Sequence, residues 1–458
     1  MMLRFLLLTG LYGFMASVLA ATPEHPFSER SPWNARPVKF VLSTEEVPRS
    51  SYFPNVAEGD YSVRVFTAKN TDAAVTVIGQ AGKPGIWIAD AEVMAPQVVI
   101  PHWPKDVVPA AGGDGHADIV DVDSNRIHSF YQLRLENGVW RAAQYTWSAL
   151  DGRGWGEPGH YFQGSRAAGV PTMAGSIRSA ELNYGQPTYR HARAMSMTFN
   201  ALAADPAYTY PATAADINAA KLNHGTIPEG ALVMLPATFD LAAIKNPALQ
   251  KVARTLQSYG AYIVDANEGT PYAIYVEIGS KFSLMGDKWD NEIAAELDRI
   301  RGGLRRVVSV SQWVDGNGAV FTPPRNLNLL SMRGPWSAAD GGATGAFETW
   351  EQAVVFPANG RKVVQSNTSG RSMQEINWAV PQPGVTYRLK VRGSNGATLR
   401  FELADAAGRK AYDSGVLANG ATMDFKWPAS GFKPWLTVAS GERGGGQVSA
   451  TLTAIELP

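Results

Sequence analysis

The chain is 458 residues long, with 41 Lys and Arg against 41 Asp and Glu, and it contains no cysteine. Balanced charge removes the basic footprint expected of a nucleic-acid-binding protein. The missing thiols exclude disulfides, thiol catalysis and cysteine metal sites, so packing alone must hold the fold.

Length allows two or three domains, and 45 Gly, 29 Pro, 13 Trp, 16 Tyr and 17 Phe favour turn-rich β structure. Residues 1–20 read as a secretory signal: Met1 to Arg4 is a short positive start, Phe5 to Val18 is apolar, and Val18-Leu19-Ala20 fits a small-residue cleavage site. The expected address is therefore secreted or periplasmic. No later segment has the roughly 20 apolar residues that span a bilayer, so no stable membrane insertion is expected once the signal is removed.

Residues 22–333 read as one β-rich domain, catalytic or binding. Tyr61 to Phe66, Ala74 to Gly79, Gly85 to Ile88 and Val98 to Pro101 alternate or run apolar between turn residues and predict strands. Ala117 to Asp121, Ser129 to Glu136 and Val139 to Trp147 predict a meander, with Asn137-Gly138 as a hairpin turn. Asp151 to Gly175 is dense in glycine and predicts loops, after which Ser176 to Glu181 and His191 to Phe199 predict strands.

Two helices follow. Asn246 caps the first, with Pro247 at its first position and Gly260 as its stop; the second starts near Asp290 with Ile293, Leu297, Ile300 and Leu304 as its buried stripe. Between them Ala261 to Ala266 and Tyr272 to Glu277 look like a strand pair. The chain holds no phosphate loop and no dinucleotide fingerprint, so no cofactor is expected.

Thr322 to Arg325 and Arg333 to Gly345 read as linkers. Residues 334–458 then change character: short β runs at Ala353 to Phe356, Val385 to Arg392, Thr398 to Leu403, Met423 to Trp427 and Gln447 to Leu457 predict a jelly-roll-like sandwich with carbohydrate-binding or spacer character. The expected fold class is mainly β, an N-terminal sandwich with a few helices and a C-terminal sandwich.

The chemistry concentrates between Pro101 and Phe199, which hold five of the seven histidines: His102, His116, His128, His160 and His191. Gly112-Gly113-Asp114-Gly115-His116 lets the backbone turn tightly just before a strand and brings ionisable groups to its entrance. Several pieces together resemble a group of secreted bacterial proteins: Pro101-His102-Trp103-Pro104, Asp114-Gly115-His116 with Asp121, Ala167 to Pro171 with Gly175 to Arg178, Glu181 with His191-Ala192, and Tyr259 to Asp265. The resemblance covers roughly Val98 to Val308 and departs at Ser129, where the pattern often carries an acidic residue. It implies an exported, β-rich, polysaccharide-associated protein and carries no established reaction.

Glu181 with Asp114 or Asp121 would supply the paired carboxylates of a glycoside hydrolase acting on a polysaccharide or oligosaccharide. Asp114, His116, Asp121, Glu181 and His191 are expected to converge in one groove, with Glu181 as general acid or nucleophile. The plainer role for Glu181 is to cap a turn or pair with Arg178 or Arg190. His116 and His191 with Tyr184 or Tyr189 would instead suit a polysaccharide lyase, in which a base removes a proton beside a uronate carboxylate. Close metal-ligand spacing is missing. His102, Trp103, Trp155 and Tyr184 are the candidate substrate contacts, with core filling as the alternative for the tryptophans. A third reading is a non-catalytic carbohydrate-binding or matrix protein.

Overall fold

A computed structural model describes residues 21–157, 160, 162–183, 185–286, 288–323, 328–333, 336–342, 344–367 and 376–455. The expected leader, Tyr184 and parts of both expected linkers lie outside the described residues. The protein is mainly β, and among the described residues no helix is long and apolar enough to cross a membrane.

A mixed eight-stranded sheet forms the centre of the N-terminal part. Its main path runs Arg36–Leu42, Arg305–Val314, Leu232–Met234, Ala261–Asn267, Arg193–Thr198, Tyr272–Tyr275 and Asn55–Ala57. Alternation along the strands buries both faces. Val233, Ala261, Ile263, Met195, Met197 and Ile274 face one core with the helices Pro247–Ser258 and Asn291–Gly303. Leu232, Met234, Tyr262, Val264, Ala194 and Tyr275 face another, which holds Trp33 and Trp155.

Arg193–Thr198 corrects the expected strand pair. It lies between the other two, parallel to Ala261–Asn267 and antiparallel to Tyr272–Tyr275, because its buried run suits the middle of a sheet. The expected strand Ser176 to Glu181 is also revised: Ile177 makes one bridge to Val276, and Ser179–Glu181 is a single 3-10 turn. The Glu181 carboxylate accepts the Arg178 N–H at 2.9 Å and winds the chain back on itself.

The meander forms two smaller sheets. One runs Val65–Ala68, Ala117–Asp121, Arg126–Tyr131, Gln144–Ala149, Ile86–Ile88 and Val93–Ala95; the other runs Arg134–Glu136, Val139–Ala142, Val75–Gly79 and Gln97–Ile100. The expected hairpin is present: Glu136 pairs with Val139, and Asn137 and Gly138 take φ of 51° and 79°, the two left-handed positions of a type I′ turn.

The C-terminal part is two five-stranded sheets around a separate apolar core. Asn328 to Met332 already belongs to it, since Leu329, Leu330 and Met332 pack in that core and the Leu329 N–H donates to the Leu452 carbonyl at 2.8 Å. Contacts join the two parts. Arg333 pairs with the buried Asp90 at 3.4 Å, Trp350 stacks on Trp147 at 5.4 Å, and the Trp378 indole donates to the Ala212 carbonyl at 2.7 Å.

Candidate functional site

Four carboxylates and one buried arginine meet where the meander, the loop before Pro171 and the central sheet come together. Asp114 and His116 arrive on the tight turn into Ala117–Asp121. Gly115 takes φ +47° there, a left-handed position that favours glycine, and a Cβ on it would push the Arg134 guanidinium aside. The turn is pinned to the neighbouring strand, with the Gln132 N–H donating to the Asp114 carbonyl at 2.6 Å. His116 is buried, with Nε2 3.7 Å from the Asp114 carboxylate and Nδ1 3.3 Å from the Ser165 hydroxyl. Burial first, then Arg166 and Arg134, hold its imidazole well below the usual range, so it stays neutral.

Arg166 sits in a loop closed by the Ala168 N–H donating to the Val264 carbonyl at 3.1 Å. Its guanidinium lies 3.7 Å over the Tyr275 ring and donates to Asp265 at 3.1 Å and to the Tyr61 carbonyl at 3.0 Å. The Tyr275 hydroxyl donates to the same Asp265 oxygen at 3.3 Å. A bulge places Asp265. Register slips between Met195 and Ser196, so that Ile263 and then Asp265 face successive partners, and Val264 is the extra residue. The slip turns Asp265 away from the helix side that strict alternation would give it and toward Arg166.

Asp216 and Glu229 complete the set. The Asp216 carboxylate accepts the Ala266 N–H at 2.8 Å, and the Asp216 N–H donates to the wholly buried Glu229 carboxylate at 3.0 Å. Burial drives Glu229 well above the usual range, and Asp216 and Asp265 add to the shift. Asp265 is pushed up to about 7, by burial first and by Asp216 and Asp114 as well, against the pull of Arg166. Asp114 is also raised by burial, yet a third of its side chain remains exposed. Glu229 Oε2 and the Arg166 Nε and Nη2 groups have no hydrogen-bond partner among the described residues. A carboxyl such as Asp265, which changes protonation near neutrality beside an arginine with unused donors, can give and take a proton at a bound molecule.

The five sequence-predicted catalytic residues fall into three sets rather than one groove. Asp114 and His116 belong to the cluster above. Asp121 ends the strand that His116 precedes, roughly 16 Å away at about 3.3 Å per residue. There its carboxylate takes His102 Nδ1 at 2.9 Å, with His128 Nε2 at 4.0 Å. Glu181 and His191 form a third set, Oε1 to Nε2 at 2.9 Å, with Arg193 at 3.8 Å and the Lys251 ammonium donating to the Glu181 carbonyl. Among the described residues no hydrogen bond or ion pair joins one set to another.

Glu181 is 4% exposed. Burial would raise its carboxyl, but His191, Arg193 and the Arg178 N–H outweigh it and hold the group at about 2. A carboxyl that stays ionised through the neutral range is a poor general acid. His191 itself is held down by burial and by Arg193, while Glu181 pulls it back up.

The expected stacking residues are corrected in the same way. Trp155 is 0% exposed between Trp33 and Tyr262, and Trp103 packs against Phe130 and Trp140, so neither offers a face to a sugar. His102 is partly exposed on its Asp121 partner.

Sequence reasoning missed Arg166, Asp216, Glu229 and Asp265. Arg166 immediately precedes the Ala167 to Pro171 piece and Asp265 ends the Tyr259 to Asp265 piece, so both stood at the edge of a visible signal. A cleft of about 330 Å³ opens elsewhere, lined by Glu45, Glu46, His224, Thr226 and Arg306 among others. Its two glutamates are engaged by Thr226 and Arg305, so the perturbed titratable cluster marks the chemistry better. Among the described residues no three His, Cys, Asp or Glu side chains are arranged to hold a metal ion.

No family model matches the chain, and no curated protein matches it. Solved structures share stretches of similar shape. The Gap123 glycosylation-associated protein complex from Streptococcus agalactiae is 10% identical over 28% of this chain and 45% of its own, at a TM-score of 0.17. TmCBM61 in complex with β-1,4-galactotriose is 14% identical over 26% of this chain and 87% of its own, at 0.18. The enzymatically active domain of bacteriophage CBA120 tailspike protein 4 is 13% identical over 26% and 19%, at 0.16. This chain thus spans less than half of the first of these, and no chemistry is drawn from likenesses of this size.

Proposed function

We propose that the protein is an exported glycoside hydrolase whose acid–base pair is Asp265 and Asp114. The observation that supports this is a carboxyl pushed up to about 7 beside a second, more exposed carboxylate, the arrangement in which one acid is protonated while its neighbour is ionised. Asp265 gives its proton to the leaving glycosidic oxygen as the C–O bond breaks. Asp114 takes the proton of the water that adds to the sugar carbon, or attacks that carbon itself before water releases it. Arg166 holds Asp265 in place and stabilises it when it becomes ionised.

A lyase needs a cation free to neutralise a uronate carboxylate. Here Arg166 is surrounded by carboxyl groups, which disfavours entry of a uronate carboxylate and favours hydrolysis of a neutral glycan. Incubation with a panel of polysaccharides tests the proposal. Hydrolysis releases reducing ends without the ultraviolet absorbance of unsaturated sugars. Both signals together would mean a lyase, and neither signal with retained binding would mean a non-catalytic carbohydrate protein.

A further inference from the structure

We infer that the outer face of the sheet holding Lys433–Ala439 is a second glycan-binding surface, with the Trp435 indole as the platform for a neutral pyranose ring. The strand alternates: Leu436 and Val438 enter the core, while Trp435 stands 45% exposed on the opposite face. A single exposed apolar side chain is ordinary. What distinguishes this one is the group of side chains around it.

Glu402 lies directly across from Trp435, and Asp413 lies across from Glu402 on the next strand. Arg400 grips Asp413 through Nε at 2.9 Å and through Nη2, and the Lys410 ammonium closes on Glu402. These four charges are therefore neutralised in pairs, while Lys433, two residues before Trp435 on the same face, adds one positive charge. Beside them Thr437 and Ser366 place hydroxyls 3.4 Å apart. A flat apolar face bordered by donors and acceptors whose charges are mostly paired matches a neutral pyranose, which has an apolar C–H face and a rim of hydroxyls.

Two other tryptophans of the C-terminal part are committed elsewhere. Trp427 is 7% exposed in the core, and Trp378 is joined to Ala212 of the N-terminal part. Exposed ion pairs contribute little to stability, so the surface can be altered without unfolding the domain.

This inference rests on the glycan reading above, and affinity electrophoresis of the whole protein separates the two. Gels containing soluble β-1,4-galactan, xyloglucan or starch should retard the wild type, and gels containing polygalacturonate should not. Trp435→Ala should weaken binding by roughly tenfold or more, with unchanged melting temperature and an unchanged rate on short oligosaccharides. Trp435→Phe should keep part of the binding and guards against a folding artefact. Full retardation of Trp435→Ala would overturn the platform while leaving the glycan reading intact. Preferential retardation by polygalacturonate would overturn the neutral-ligand assignment. A wild type that neither binds nor cleaves any polymer would overturn the glycan reading and the platform together.

Discussion

Asp265 and Glu181 are both carboxylates in dry surroundings, and their neighbours drive them in opposite directions. Asp265 has carboxylates around it and a folded pKa of about 7, above the ordinary unfolded value of about 3.9. Folding therefore favours its protonated form. Its contribution to stability is complete below about pH 4 and is lost as pH rises through about 7. Melting temperature should fall between pH 5 and pH 8 more steeply in the wild type than in Asp265→Asn; parallel profiles would show that this carboxyl is not perturbed. Glu181 is held down to about 2, so its contribution is present above an unfolded pKa of about 4.3 and is lost only as pH falls through about 2. Removing one partner of a buried pair is costly, and Glu181→Gln should lose about 3 kcal/mol in urea unfolding at neutral pH. Asp114 and His116 were legible in the sequence because glycines mark the turn that presents them. Asp265 was not, because the bulge at Val264 reverses the face that alternation assigns, and Asp216 and Glu229 reach the site from separate loops whose approach no local pattern encodes.

The elements that stood out in the sequence are those whose signals are local. Asn246 Oδ1 accepts the Leu249 N–H at 3.0 Å and starts the helix Pro247–Ser258, and Asp290 caps Asn291–Gly303 in the same way. Replacing Asn246 by Ala should cost about 1 kcal/mol, read as a lower denaturant midpoint with an unchanged slope; no shift would mean that the Glu296 carboxylate, which accepts the Asn246 N–H at 3.2 Å, holds the helix start alone. Strand order was not legible, because the partner of Arg193–Thr198 is chosen by burial over a long sequence separation. Lys433–Ala439 was hidden for another reason. Pro434 interrupts its pattern; among the described residues the pairing with Val364–Asn367 covers Thr437 to Ala439, and Pro434 lies opposite Leu403 on the other side.

At the scale of the molecule, the change in pattern after Pro324 reflects a change of core, and we propose two units that meet at a defined seam. Asp90, buried to 1%, is held by Arg333 and by the Gln352 amide, while Trp350 stacks on Trp147 with the Arg126 guanidinium 5.1 Å from its ring. Truncating Trp350 to Ala should loosen this seam and speed protease cleavage between Val320 and Glu348; equal resistance in variant and wild type would mean that the two parts open only as one unit. The Trp350 contact lies at the Asp121 end of its strand and Asp114 at the other, so cleavage of short substrates should survive this loosening. The most direct test of the account is the initial rate of reducing-end release by Asp265→Asn on a polysaccharide that the wild type cleaves, at a temperature where the variant is folded. Loss of acid–base catalysis predicts a fall of roughly 100-fold or more, and a rate equal to the wild type would contradict the assignment of the chemistry to this site.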